Sequence, residues 1–460
     1  MKTERITRRS AGARPVGWAW AAAGVLLGVL WAGLRAGENW PQWRGPRFNG
    51  STDETNLPAT WSKTSGVAWS RRMAGPSAST PIVWGSRLFT SSVNASSNTL
   101  LAMCLEAKTG KLLWSHKVGK DRKFRAGRHN AASPSPVTDG RCVYFLYGTG
   151  DVAAFDVDGK PLWSRRLEKD YGRFIIKWGY GSSPLLYDGR LYVMVLQNRK
   201  PGRYDRENKS GLADTRKGPL ESFLLAIDPK TGKTLWRHVR PSDADDEGDE
   251  SYATPMPFEG CGRKEIIIHG GEYVTGHDAA TGKELWRWEF SPVNREVWQR
   301  TVSPGATDGA RIVVGRARWR GLYCLKPTGS GRLTDAIVAW KHVKYSNDVC
   351  GPLIYKGRVY LLCDSRRTIA CLDLNSGEVI WVEKLKSKGE FRGSPTGADG
   401  KIYFMSMAGE VFVLEAGDTY KLLSKIEMKE RNCFSTISAS GGRLFLRTPR
   451  YLYCLAVAGR

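Results

Sequence analysis

A phrase of eleven residues recurs along the chain and limits what the chain can fold into. Its clearest copies end at Trp236, Trp286 and Trp381, and each contains a Thr-Gly or Ser-Gly turn four or five residues earlier. Each copy is typical of a strand, a tight turn closed by glycine, and a second strand that carries a large aromatic residue. Including the weaker copies, the anchor tryptophans are Trp69, Trp114, Trp163, Trp236, Trp286, Trp340 and Trp381, spaced 41 to 73 residues apart. A strand-rich repeat of this length predicts a β-propeller.

The two ends of the chain complement each other. Trp69 belongs to a lone last strand, whereas residues 433–459 supply three strands and stop before a fourth. A ring leaves two unpaired sheet edges unless its first and last strands meet. Seven openings of a small residue followed by proline, from Thr80-Pro81 to Ser394-Pro395, mark seven complete units between the ends. We predict an all-β, eight-bladed propeller over residues 66–460, closed by the strand around Trp69; seven blades is the alternative.

Two segments depart from the repeat. The seventh unit has Ser424 where the anchor tryptophan is expected, which predicts a locally softer blade. Residues 37–65, which include Trp40 and Trp61, precede the first repeat. We expect an extended lead-in that packs its tryptophans on the outside of the propeller.

Residues 1–36 have the pattern of an export signal. A basic start is followed by an uncharged run from Val16 to Leu34, and Ala36 stands at a plausible cleavage position. The run is also long enough to remain as an N-terminal membrane anchor. Both alternatives predict an exported protein of the periplasm or cell envelope.

The cysteines do not form a disulfide pattern. Four of the nine, Cys104, Cys324, Cys371 and Cys454, fall at one repeat position. Equivalent positions in different blades lie far apart, so these residues are predicted to be small buried apolar side chains. Zinc and haem-attachment spacings are absent, and we predict no metal site.

The repeated Asp-x-x-Thr-Gly-x-x-x-Trp phrase, the Ser-Pro openings and the Trp-Pro-Gln-Trp-Arg-Gly-Pro lead-in resemble the pyrroloquinoline-quinone-like (PQQ-like) propeller family. The resemblance covers about residues 39–459 and implies eight blades. Within the family, the chain is most similar to exported bacterial propellers and to the scaffold lipoprotein of the outer-membrane barrel-assembly machinery. A fold of this kind hosts many functions.

The resemblance also raises the alternative of a PQQ-dependent quinoprotein oxidoreductase. Its relatives of that class hold PQQ with Ca²⁺ in the central channel and often carry a disulfide between adjacent cysteines. This sequence has no adjacent cysteine pair, and an ordered set of oxygen ligands for Ca²⁺ is not recognisable. We therefore expect no cofactor and no catalytic residues, with PQQ and Ca²⁺ as the alternative.

The strongest functional signal is electrostatic. The chain has a formal net charge of +25. The connections between blades and the loops between second and third strands emerge on one face of a propeller, and here they are basic with interleaved aromatics. The candidate binding residues on this face are Arg125, Arg128, Arg173, Trp178, Arg295, Trp298, Arg300, Arg318 and Arg392.

Two other groups of polar residues are candidates for a functional site. The acidic stretch from Asp243 to Glu250 predicts a solvated loop, with a Ca²⁺ site as the alternative. His269 and His277 flank one hairpin and could approach each other, although ordinary strand histidines are the simpler interpretation.

These features predict a non-catalytic, monomeric scaffold or binding module for an anionic partner. An exported protein favours envelope proteins, anionic polysaccharide or lipid head groups over nucleic acid; the alternative to an anionic ligand is a generally basic, solubilising surface. The insertion Gln197–Glu221 is too polar to bury a core, so we expect a mobile loop on the basic face. Deleting residues 199–217 should preserve the melting temperature and weaken binding in a salt-dependent way.

Overall fold

The computed structural model of the protein describes residues 39–62, 65–122, 124, 130–198, 220–244, 246–290, 300–316 and 320–457. These residues belong to one compact unit that spans residues 36–460. The predicted export segment, residues 1–36, lies outside the described residues. Within the described ranges, no helix has the length and apolar character needed to cross a membrane.

Eight sheets account for the described strands, so the eight-blade prediction is confirmed. Blade 1 contains β2 (Ile82–Trp84), β3 (Arg87–Asn94), β4 (Thr99–Glu106) and β5 (Leu112–Lys120). Blade 2 contains β6 (Val137–Thr138), β7 (Cys142–Leu146), β8 (Asp151–Asp156) and β9 (Pro161–Arg166). Blade 3 contains β10 (Leu185–Tyr187), β11 (Arg190–Val195), β12 (Phe223–Ile227) and β13 (Thr234–Val239). Blade 4 contains β14 (Met256–Phe258), β15 (Glu265–Gly270), β16 (Tyr273–Asp278) and β17 (Glu284–Glu289).

The second half of the ring repeats this order. Blade 5 contains β18 (Ala306–Thr307), β19 (Ile312–Gly315), β20 (Leu322–Leu325) and β22 (Val338–His342), and its added strand β21 (Gly331–Arg332) pairs in parallel with β17. Blade 6 contains β23 (Leu353–Tyr355), β24 (Arg358–Cys363), β25 (Thr368–Asp373) and β26 (Val379–Lys384). Blade 7 contains β27 (Thr396–Ala398), β28 (Lys401–Met405), β29 (Glu410–Glu415) and β30 (Leu422–Glu427). Blade 8 contains β31 (Ser438–Ser440), β32 (Arg443–Arg447), β33 (Tyr451–Ala456) and the N-terminal β1 (Val67–Arg72).

Helical structure is confined to short segments among the described residues. These are one α-helix, Leu167–Tyr171, and the 3₁₀ turns Asp246–Asp249, Asp335–Ile337 and Asp364–Arg366.

Ring closure follows the sequence prediction. Strand β1 pairs antiparallel with β33, and Trp69 lies opposite Cys454. The pairing removes the exposed edge that the C-terminal blade would otherwise present.

The small residues before the repeat prolines join neighbouring blades. The backbone N–H of Thr80 donates to the Ser135 hydroxyl at 2.9 Å, and the N–H of Ser135 donates in turn to the Ser183 hydroxyl at 3.0 Å. The same link closes the ring, because the N–H of Thr436 donates to Thr80 Oγ1 at 3.2 Å. The hydroxyls therefore satisfy buried backbone donors next to prolines, which have no N–H of their own.

The anchor tryptophans explain the glycine of the repeated phrase. The Trp69 ring covers Gly110 in the turn of the next blade, where an added methyl group would lie 2.6 Å from the ring. Gly110 also has a φ of +72°, which favours glycine. Five indoles donate to a carbonyl in the next blade's turn, at 2.8–3.1 Å: those of Trp69, Trp114, Trp163, Trp340 and Trp381. Trp286 differs, because its indole donates to Glu265 Oε2 within its own blade at 2.7 Å.

The lead-in does not pack on the outside, so that expectation is wrong. Trp40 is fully buried, and it exchanges two backbone hydrogen bonds of 2.9 Å with Val83 in the innermost strand of blade 1. Gly50 and Thr52 bond to Gly397 in the innermost strand of blade 7. The segment therefore crosses the centre of the ring at the end that carries the turns between first and second strands. The reason is local: its apolar side chains and backbone donors find partners on the inner strands, whose edges would otherwise remain unpaired.

The lead-in also reaches the position where the seventh anchor is missing. The Ser424 hydroxyl donates to the Ala59 carbonyl. Trp61 is buried, and its Cβ lies next to Gly66, directly before β1. The softer blade expected from the sequence stays a prediction.

Candidate functional site: the central cavity

The connections between blades meet at one end of the central channel. They enclose a cavity of about 220 Å³. All eight junctions contribute to its wall, and Trp43 of the lead-in also lines it. The lining residues are Trp43, Ala78, Ser133, Trp178, Gly179, Tyr180, Gly181, Tyr252, Arg300, Val302, Val349, Arg392, Met407 and Phe434.

Three of the predicted binding residues converge on this cavity: Trp178, Arg300 and Arg392. Arg300 lies over the Trp178 ring, with its Cζ atom 5.9 Å from the ring centroid. Arg173 is partly buried and does not line the cavity. The remaining candidates, Arg125, Arg128, Arg295, Trp298 and Arg318, lie outside the described residues, as does the insertion loop at residues 199–219.

The cavity wall is rich in hydrogen-bond donors. Arg300 and Arg392 supply two guanidinium groups, and the lining residues include no carboxylate or amide side chain. The indole Nε1–H groups of Trp43 and Trp178 are buried and have no hydrogen-bond partner in the described part of the chain. The two guanidiniums, with no carboxylate beside them in the lining, suit the wall to a ligand that brings acceptors.

Acidic residues stand behind the wall and position its cations. Arg300 Nη1 lies 3.4 Å from Glu247 Oε2, and its Nη2 lies 3.9 Å from Asp348 Oδ2. Glu247 also pairs with Lys177. Glu247, Asp249 and Glu250 are buried, so the predicted solvated acidic loop is wrong at these residues. The cause is their pairing with the basic connections of neighbouring junctions, which sequence reasoning had assigned to solvent.

Glu250 is the acid most perturbed by this arrangement. It is fully buried and accepts hydrogen bonds from the Tyr252 hydroxyl at 2.8 Å and from the Lys177 N–H at 3.1 Å. Burial raises the pKa of the Glu250 carboxyl to about 8, although these hydrogen bonds act in the opposite direction. The residue connects the cavity-lining Tyr252 with the connection between blades 2 and 3.

The cavity residues do not fit PQQ with Ca²⁺. Ca²⁺ takes about 6–8 oxygen ligands, several of them carboxylates, whereas the lining residues offer hydroxyl and phenol oxygens, backbone carbonyls and two cations. The nearby carboxylates are engaged with Tyr252, Lys177 and Arg300. All nine cysteines are free thiols in the structure, and no two are adjacent in sequence.

Comparison with protein families agrees with this architecture. The family described as "Outer membrane protein assembly factor BamB" matches residues 48–173, 102–254 and 270–422. The chain belongs to this family. The PQQ-like resemblance inferred from the repeated phrase is thereby confirmed.

Solved structures share the fold at low sequence identity. BamB from Moraxella catarrhalis matches with a TM-score of 0.57 and 12% identity, covering 86% of this chain and 98% of that one. Quinohemoprotein alcohol dehydrogenase from Comamonas testosteroni matches with a TM-score of 0.65 and 12% identity, covering 92% of this chain and 81% of that enzyme. These similarities show the fold alone.

One curated relative matches part of the sequence. Quinohemoprotein alcohol dehydrogenase ADH-IIG from Pseudomonas putida is 24% identical over 234 residues, which is 49% of this chain. The match spans about a quarter of that enzyme's length, 26%.

Two features of this region were not found from the sequence. Trp43 lines the cavity, although the sequence predicted a lead-in on the outside of the propeller. The only sequence sign is the Trp-Arg-Gly-Pro motif that contains Trp43. Its arginine, Arg44, donates to the Pro352 carbonyl, 308 residues away, so a local pattern could not locate the contact. His269 and His277 do not approach each other: His269 lies opposite Val274, and His277 faces His238 of blade 3, with ring centroids 5.0 Å apart. Burial lowers the pKa of both His269 and His277 to about 3.

Proposed function

We propose that the protein is a non-catalytic binding module of the cell envelope, whose central cavity receives an anionic group of a protein partner. The observation that carries the proposal is the cationic wall: two guanidiniums, with no carboxylate or amide side chain among the lining residues. Membership of the BamB family and the export signal in the sequence support an envelope setting.

The acids behind the wall do not prevent anion binding. A guanidinium has five N–H donors, and each contact to Glu247, Asp348 or Glu390 uses only part of that set. The pairing instead holds Arg300 and Arg392 in place. Preorganised donors lose less entropy when a carboxylate binds.

A defined probe tests the proposal. Fluorescein-labelled hexaglutamate, titrated at low salt with the purified full chain and followed by anisotropy, should bind saturably and weaken as salt rises. Replacing Arg300 and Arg392 together with glutamine should weaken binding at least 10-fold, because hydrogen bonds to charged groups contribute about 1.5–3 kcal/mol each. Lysine at both positions should restore part of the affinity.

The matched control changes the same charge on the opposite face. Lys230 and Lys283 are exposed in turns between third and fourth strands. Replacing both with glutamine should leave hexaglutamate binding within about twofold of the wild type. Equal losses of hexaglutamate affinity in the two double variants would show that only overall charge matters. Stronger binding of alginate or of phosphatidylglycerol vesicles than of hexaglutamate would indicate a polysaccharide or lipid ligand instead of a protein partner.

A quinoprotein oxidoreductase is the alternative, motivated by the partial match to ADH-IIG. The lining residues do not supply the oxygen ligands that Ca²⁺ requires. Mixing the protein with PQQ and Ca²⁺ and measuring cofactor absorbance together with alcohol-dependent dye reduction decides this point. Stoichiometric binding with turnover would overturn the non-catalytic proposal.

A further inference from the structure

The junction between blades 3 and 4 differs from the other junctions at one repeat position. In each blade, a residue near the end of the third strand pairs with one at the start of the fourth. The third-strand residues are Leu105, Phe155, Ile227, His277, Leu325, Leu372, Leu414 and Leu455. Their partners are Leu112, Pro161, Thr234, Glu284, Val338, Val379, Leu422 and Val67. Among these eight described pairs, blade 4 alone combines a buried imidazole with a carboxylate.

A second imidazole reaches the same place from blade 3. His238 lies two residues after the anchor Trp236, and its ring faces His277. The ligand atoms of His238, His277 and Glu284 all lie within 4.8 Å of one another. Three side chains from strands of two blades therefore converge.

Blades 1 and 2 show what this position does without a metal-binding partner. His116 lies two residues after Trp114, stacks on Phe155 with ring centroids 4.7 Å apart, and contacts the Gly159 carbonyl at 2.7 Å. Packing alone is thus satisfied by an apolar third-strand residue. The His277 and Glu284 pair adds two metal-ligating groups that the packing does not require.

The hydrogen bonds of His277 fix which ring nitrogen carries the lone pair. Its Nδ1 lies 3.2 Å from the Gly282 carbonyl, and its Nε2 lies 2.9 Å from Thr275 Oγ1. Because a carbonyl only accepts, Nδ1 carries the proton and Nε2 accepts from the Thr275 hydroxyl, a bond that a metal ion on Nε2 would replace. A backbone carbonyl on the far ring nitrogen is the arrangement that orients metal-ligating histidines.

Two cations face the cluster as well. Arg287 donates to both oxygens of Glu284, from Nε to Oε1 and from Nη2 to Oε2 at 2.8 Å, and Arg240 is close enough to influence His277 electrostatically. A carboxylate has about four lone-pair positions, so Glu284 can accept from Arg287 and still offer a ligand. The two cations weaken binding of any metal ion, and the two imidazole ligands favour transition-metal ions over Ca²⁺ or Mg²⁺.

We propose that His238, His277 and Glu284 bind a divalent transition-metal ion of the zinc class, which fastens blade 3 to blade 4. Two imidazoles and one carboxylate suit such ions, and the fourth position would be taken by water. Zinc bonds to nitrogen and oxygen are about 2.0–2.2 Å long, so the three side chains draw together on binding.

The test uses the full chain stripped of metal with a chelator. Calorimetric titration with Zn²⁺ should show one saturable site per chain and a concentration-dependent rise in Tm. His277→Phe introduces the residue that blade 2 has at the equivalent position, Phe155. This variant should not bind Zn²⁺ at the site, and its circular dichroism spectrum should match that of the wild type. Glu284→Gln and His238→Ala should weaken binding at least 10-fold.

The matched control is His116→Ala, which removes the equivalent histidine beside Phe155 and should bind Zn²⁺ like the wild type. Co²⁺ substitution separates this site from the nine thiols, because thiolate ligands add a strong near-ultraviolet charge-transfer band and histidine and carboxylate do not. Wild-type affinity and stoichiometry in His277→Phe, a thiolate band as the main signal, or no binding by the wild type would each overturn the proposal.

Discussion

Replacing Trp40 with alanine tests whether the lead-in is part of the core. Trp40 is 0% exposed, its backbone pairs with Val83 in the innermost strand of blade 1, and its ring lies against Gly45. Burying a large aromatic removes about 150–250 Å² from water, which at about 25 cal/mol/Å² gives an upper bound of about 4–6 kcal/mol. Core Trp→Ala substitutions cost about 3–5 kcal/mol, and we expect the free energy of unfolding to fall by that amount.

Guanidinium unfolding followed by far-ultraviolet circular dichroism measures the loss. Trp40→Phe should cost less, about 1–2 kcal/mol, because the Trp40 indole N–H has no hydrogen-bond partner among the described residues. Thr60→Ala, at an exposed position of the same segment, should change stability by less than about 0.5 kcal/mol. A Trp40→Ala loss below about 1 kcal/mol would refute the central path of the lead-in.

Three further predictions concern titration, thiols and the insertion. The folded-state pKa of Glu250, about 8, exceeds its ordinary value of 4.5. The stabilising contribution of Glu250 is therefore complete below pH 4.5 and is lost as pH rises to about 8. Glu250→Gln should flatten the fall in Tm between these pH values, and an unchanged slope would contradict the assignment. Seven thiols are buried and only Cys142 and Cys261 are half-buried, so Ellman's reagent should titrate at most two in the native protein and nine after unfolding without reductant; fewer than nine would reveal a disulfide. Deleting residues 199–217 should change Tm by less than about 2 °C, because segments that bury no core contribute little stability; unfolding of the deletion variant would make the loop structural.

The fold was predictable because each repeat carries its own local signals. The turn glycines, the Ser-Pro openings and the tryptophans of seven of the eight fourth strands act between neighbouring strands or adjacent blades. Closure of the ring was predictable as well, because the lone N-terminal strand and the incomplete C-terminal blade satisfy each other's unpaired edges. The path of the lead-in was not, because Trp40 and Ser424 find their partners through contacts between segments far apart in sequence, with no repeat to signal them.

The candidate site was predictable in outline only. Propeller topology places Trp178, Arg300 and Arg392 on one face, and the structure brings them to one cavity. Sequence reasoning treated the acidic stretch as solvated because burial of Glu247 and Glu250 depends on partners from other junctions. Nothing in the sequence indicated that His238 faces His277, since facing residues of adjacent blades have no fixed sequence spacing.

The location of a bound anion tests the central claim most directly. Benzoylphenylalanine placed at Phe434, which lines the cavity, is illuminated with labelled hexaglutamate, and the adduct is mapped by mass spectrometry; the same group at Leu113, exposed on an outer strand, is the control. We expect an adduct at position 434 that disappears when Arg300 and Arg392 are glutamine, and little adduct at position 113. Equal labelling at both positions, or labelling at 434 that survives the double substitution, would contradict it.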